Sequence, residues 1–177
     1  MKCSLPVMAC VLSLAPLAFA APKLVAPVRG MSPQPAPAAA TKTTVAKGIT
    51  EVTLQIMPGY VRAPAPVYKV VFYADGRALA IKGDQEHPQR YTGTLGEPEF
   101  KRLTEFIEQS KFFALAPLYT VGISDASTVA TSVVKNGQRK DVHDYAHQGP
   151  AQLWALETVV RGLDAQVTWH PVPPAKK

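Results

Sequence analysis

The residues of this 177-residue chain best equipped for chemistry sit in one short stretch, His143-Asp144-Tyr145-Ala146-His147. Two histidines four apart share a metal ion readily on a helix, where side chains at i and i+4 are neighbours. This pair instead follows an apolar run with the look of a strand and stops just before Gly149-Pro150, where a helix should begin. In an extended chain four residues span about 13 Å, whereas both ring nitrogens would have to approach one ion to about 2.1 Å. The expectation is therefore no metal at His143 and His147, and no cofactor. Only a turn at Ala146, with His87 or His170 as further donors, would reverse it. Asp144 and Tyr145 then read as residues that end the strand and help to cap the helix after it.

Other catalytic arrangements fare no better. Gly122-Ile123-Ser124-Asp125-Ala126 approaches the G-x-S-x-G pattern, but it ends in alanine and precedes a strand. A nucleophile elbow needs a strand that leads into a helix. Glu105 and Glu108 fall on the polar side of an amphipathic segment, where a solvated face is expected. No glycine loop that would cradle phosphate appears. Without a positioned acid, base or nucleophile the chain reads as a non-enzyme.

Binding is the remaining class of function. Between Met57 and Tyr68 the chain reads MPGYVRAPAPVY, and its three prolines fix backbone angles and remove donors. Such a connection is stiff and loses little entropy on docking. Tyr60 and Arg62, residue types favoured at interfaces, stand in its middle. Protection of a sheet edge by the same prolines is the competing reading. Asp125, Asp144 and Tyr145 complete the candidate binding residues, and each is equally a turn or cap residue.

Elements to position these residues can be read from periodicity. Val52, Leu54 and Ile56 alternate with Thr53 and Gln55, as in a half-buried strand. Apolar runs flanking Asp75-Gly76 and Asn136-Gly137 predict two hairpins, and RYTGTL adds a possible edge strand. Phe100, Leu103, Phe106 and Ile107 recur at helical spacing behind Pro98. Leu153, Leu156, Val160 and Leu163 do the same after Pro150. The expectation is an α+β domain in the order strand, hairpin, helix, hairpin, helix. Its antiparallel sheet would have about five strands, with both helices packed on one face and Phe112, Phe113 and Leu115 sealing the core.

Around this domain lie segments of another kind. The first twenty residues, MKCSLPVMACVLSLAPLAFA, have the layout of a secretory signal peptide with cleavage after Ala20. Export to the periplasm or beyond is therefore expected, with no transmembrane segment in the mature form. Cleavage would also remove Cys3 and Cys10, the only cysteines, and with them any disulfide, thiolate-bound zinc or cysteine nucleophile. Residues 21–48 hold five prolines and no acidic or aromatic residue, a composition of disordered linkers; residues 171–177 look similar. The formal net charge is +6, yet from Ile49 to His170 there are 12 Lys and Arg against 13 Asp and Glu. The positive excess lies outside residues 49–170, the expected single domain, which argues against nucleic acid as a partner.

Several stretches together, PVYKVVFYADGRA, EFKRLTEFIEQSKFFALAPLYTVGISDAST, VVKNGQRKDVHDY and GPAQLWALETVVRGLD, resemble the domain-of-unknown-function family 6438 over about residues 49–169. That family is found in bacterial exported proteins and lipoproteins, and the resemblance implies no particular activity. Many members carry Cys-x-x-x-Cys-Pro just before Val-Tyr; Val61 and Ala65 stand at those positions here. A second similarity is to emfourin-type inhibitors of thermolysin-like metalloproteases, with Gly59-Tyr60 near the place of their glycine-aromatic loop. The functional expectation is a binding module of the cell envelope, with a protein or small ligand as partner. A protease inhibitor is the first alternative, and a hydrolase or metal-binding protein using His143 and His147 the second.

Overall fold

The computed structural model describes residues 46–60 and 64–173; the expected signal peptide, nearly all of the expected linker, and Arg62 lie outside them. Eight strands form one sheet: β1 (Ile49–Met57), β2 (Pro66–Tyr73), β3 (Arg77–Asp84), β4 (Pro88–Thr94), β5 (Leu118–Tyr119), β6 (Thr128–Lys135), β7 (Gln138–Tyr145) and β8 (His170–Pro171). Two helices, α1 (Glu97–Gln109) and α2 (Ala151–Gln166), interrupt them. The strands lie side by side in the order β5-β7-β6-β1-β2-β3-β4-β8.

This sheet corrects the expectation of about five antiparallel strands. Among the described residues eight strands are present, and β5 runs parallel to β7, so the sheet is mixed. β5 and β8 are two residues long, too short for any alternation to register. Tertiary position makes them strands: the Pro117 carbonyl accepts the His143 N–H at 2.9 Å, and the Arg90 carbonyl accepts that of Val172. The RYTGTL strand is present as β4 before α1, but it lies between β3 and β8 and not at the edge; β5 falls between α1 and β6, and β8 follows α2 as the last element of the described residues.

Both hairpin turns have clear local causes. Between β6 and β7, Asn136 and Gly137 take positive φ of 52° and 76°, the geometry whose twist matches a two-residue hairpin. Asn136 also fastens the start of β1, accepting the Gly48 N–H on its Oδ1 at 2.8 Å and donating its own N–H to the Gly48 carbonyl. Between β2 and β3, Gly76 supplies φ 87° and donates to the Tyr73 carbonyl at 3.0 Å.

Alternation along the strands gives the sheet two different faces. Val52 and Leu54 of β1, Val70 and Phe72 of β2, Val129 and Val133 of β6 and Val142 of β7 are fully buried or nearly so. Against them pack Phe100, Leu103 and Ile107 of α1 and Leu153, Leu156 and Val160 of α2. Each such side chain contributes about 1.5–3 kcal/mol of burial. Phe112 closes the core after α1, with its ring 5.7 Å from that of Phe113 in an edge-to-face pair.

A polar cluster ties α2 to the strands beneath it. Lys82 Nζ donates to Asp164 Oδ1 at 2.8 Å, the Tyr68 hydroxyl donates to Asp164 Oδ2 at 3.0 Å, and the Lys82 ammonium lies 5.0 Å from the Trp169 ring centre. Burial, aggravated by the Asp164 charge, pushes the Tyr68 hydroxyl well above the usual tyrosine range.

Candidate functional site

Two groups of residues stand out near the ends of β1 and β7, and they are distinct. The first is built from two loops. One follows β1 and carries Tyr60, which is 80% exposed. The other, between β5 and β6, carries Val121, Ile123 and Asp125, all exposed, with Asp125 in a left-handed conformation at φ 66°. The loops meet at Gly59: a β-carbon there would lie 1.9 Å from the Asp125 carbonyl oxygen, so no other residue permits this approach. From the end of β7 the Tyr145 hydroxyl accepts the Ala126 N–H at 3.1 Å and donates to the Ile123 carbonyl at 2.7 Å. Tyr60, Asp125 and Tyr145 are thus drawn to one end of the sheet. Ser124 sits in the same exposed loop and not at a strand-to-helix elbow.

The second group lies on the inner side of β7. Asp144 pairs across the ladder with Val129, shares its burial and is 0% exposed. A buried carboxylate is costly unless its oxygens are engaged. Here the Gly149 N–H donates to Oδ1 at 2.8 Å and the Trp154 indole N–H to Oδ2 at 3.0 Å. Gly149 is needed for this, since a β-carbon on it would approach Asp144 Oδ2 to 2.9 Å. Asp144 therefore braces the entrance to α2 from below. It does not join Tyr60 and Asp125 in a common cleft.

After Tyr145 the chain reverses. Ala146 and His147 both take positive φ, 57° and 53°, and the Gln148 N–H reaches back to the Tyr145 carbonyl at 3.3 Å. For residues other than glycine this conformation costs about 1–2 kcal/mol each. The turn parts the two histidines: His143 pairs with Ala130 on the sheet's other face, while His147 comes round to Asp144 and Glu157. One ligand atom from each of Asp144, His147 and Glu157 lies within 4.8 Å of the others.

Glu157 and Trp154 were not legible as site residues from chemistry alone. Glu157 occupies the inward stripe of α2, four residues after Leu153 and three before Val160, and is 3% exposed. A glutamate in an apolar stripe was the available signal. Its Oε1 has no hydrogen-bond partner. Burial, with the Asp144 charge added, pushes its carboxyl up to about 7, against a smaller opposing pull from Arg161.

The fold and these two groups define a small α+β domain with a loop-built surface at one end of its sheet and a buried acidic pair beneath it. The chain belongs to the family described as domain of unknown function DUF6438, whose model matches residues 62–164, more than half of its length. The match contains Asp125, Asp144, Tyr145, His147 and Glu157; β1 and Tyr60 precede it. It is narrower than the span of about 49–169 over which the sequence resembles the family. No curated protein matches the chain.

Proposed function

We propose that this protein is an exported, non-enzymatic binding module of the cell envelope, which grips a protein partner with the end of the sheet where the Tyr60 and Asp125 loops meet. The observation that carries this reading is the combination of exposed apolar side chains with a locked backbone. Tyr60, Val121 and Ile123 project from loops whose main chains are pinned by the Gly59 contact and by Tyr145. A preorganised loop surface loses little freedom on docking, and a tyrosine offers a large, rigid contact area. Support for export comes from the lysine, apolar run and small residues of the first twenty positions. Among the described residues no helix is long and apolar enough to cross a membrane.

Photo-crosslinkers placed in the producing cell at Tyr60, at Ile123 and, as a control, at Glu105 on α1 test this reading. The same single protein adduct from Tyr60 and Ile123, absent from Glu105, supports it. No adduct, or the same pattern from all three positions, overturns it. A second reading, an emfourin-like inhibitor of a thermolysin-like metalloprotease, draws on the prominence of Tyr60 beside Gly59. It requires near-stoichiometric inhibition of such a protease by the purified protein, relieved by Tyr60→Ala.

A further inference from the structure

The buried carboxylates of Asp144 and Glu157 lie on facing elements, β7 and α2, with His147 at the outer mouth of the group. Asp144 is held in place by two donors. Glu157 is not: its Oε1 is a polar atom sealed from solvent and without a partner, an arrangement that costs about 1–3 kcal/mol or more for a charged group. Two neighbouring carboxylates, one of them short of a donor, together with an imidazole, form a donor set whose negative charge Arg161 offsets only in part. Four ligands around a zinc-sized ion at about 2.1 Å lie about 3.4 Å apart, so the present spacing requires only small side-chain adjustments.

We propose that Asp144, His147 and Glu157 form a binding site for one divalent transition-metal ion of the zinc class, with water completing the coordination. One nitrogen and two carboxylate oxygens suit such an ion, and the set contains no thiolate. Two features already described take on a role in it. The left-handed turn at Ala146 and His147 delivers the imidazole to the acidic pair. Trp154 and the Gly149 N–H orient Asp144 from behind, as outer partners of metal ligands commonly do. The expectation of no metal assumed an extended path from His143 to His147; the turn at Ala146 removes that assumption, and His143 takes no part. This site is independent of the loop surface proposed to grip a partner.

Calorimetric titration of the full chain, with Cys3→Ser and Cys10→Ser to remove competing thiols, tests the site with Zn²⁺ alone and then with Co²⁺ as a visible reporter. The expected result is saturable binding of one ion per chain, weakened roughly hundredfold by His147→Ala and by Glu157→Gln, about tenfold by Trp154→Phe, and left unchanged by His143→Ala. Circular dichroism of each variant separates loss of a ligand from loss of fold, and Glu157→Gln, which removes a buried charge, is expected to stay folded. Absence of saturable uptake overturns the proposal. So does uptake indifferent to His147→Ala and Glu157→Gln, or lost equally on His143→Ala.

Discussion

Gly59 packs its α-carbon against the Asp125 carbonyl so closely that even a methyl group would displace one loop from the other. The obstacle is main chain, which cannot swing aside as the end of a flexible side chain can. Gly59→Ala should therefore separate the Tyr60 loop from the Asp125 loop and destabilise the domain by about 1–3 kcal/mol. Urea unfolding gives the energy. Amide exchange localises the effect, with faster exchange at Ala126 expected and unchanged exchange in β2 and β3.

The join between α2 and the strands rests on Asp164, which takes Lys82 and Tyr68 together. Asp164→Ala leaves a half-buried ammonium and a hydroxyl without their acceptor, and should cost about 2 kcal/mol. Lys82→Met combined with Asp164→Leu should recover part of this loss, because replacing both partners by apolar groups removes the orphaned charge.

Tyr68 gives that cluster an alkaline signature. Its proton is held more tightly in the folded chain than in the unfolded one. The folded state therefore binds more protons once an ordinary tyrosine begins to ionise. The contribution is fully present below about pH 10 and is lost as the pH rises beyond it. Denaturant midpoints at pH 8.5 and 11 should fall further for the native sequence than for Tyr68→Phe, which is expected to cost about 1 kcal/mol at the lower pH.

Glu157→Gln should raise the stability of metal-free protein at pH 8 by about 1–2 kcal/mol, since it removes a carboxylate that is buried beside another and lacks a donor at Oε1. Thermal unfolding in the presence of a chelator checks this. Lower stability of the variant would mean that the carboxylate has a favourable partner in solution.

Asn136 is expected to matter beyond its turn. Asn136→Ala retains the strained backbone angle but loses the bond to the Gly48 N–H, and should cost about 1 kcal/mol. Amide exchange at Gly48 and Ile49, at the start of β1, should quicken in the variant.

How far the sequence predicts this architecture depends on the length of each element. The long ones announce themselves: the alternation of Val52 and Leu54, the turns at Asp75-Gly76 and Asn136-Gly137, and the stripes of α1 and α2 all coincide with observed elements. The sheet exceeds the expected five strands because β5 and β8 have two residues each and exist only through neighbours distant in the chain, and because β4 shows in the sequence only as the weak RYTGTL pattern. Tyr60 and Asp125 were legible as exposed loop residues, yet their contact depends on Gly59, whose importance shows only in three dimensions. The acidic pair was half legible. Asp144 and His147 share the histidine motif, but a left-handed reversal at Ala146 and His147 is what joins them in space, and Glu157 is placed beside them by a helix.

Each margin of the sheet finishes in a strand of only two residues, β5 on one side and β8 on the other. Those short strands cover only two residues each of β7 and β4, and the rest of both longer strands stays open along that side. Arg139, Lys140 and Asp141 stand on the uncovered part of β7 and Pro88 opens that of β4, so side-chain charge and a missing donor, more than the brevity of the outermost strands, should keep crowded copies of the protein from stacking into fibrils.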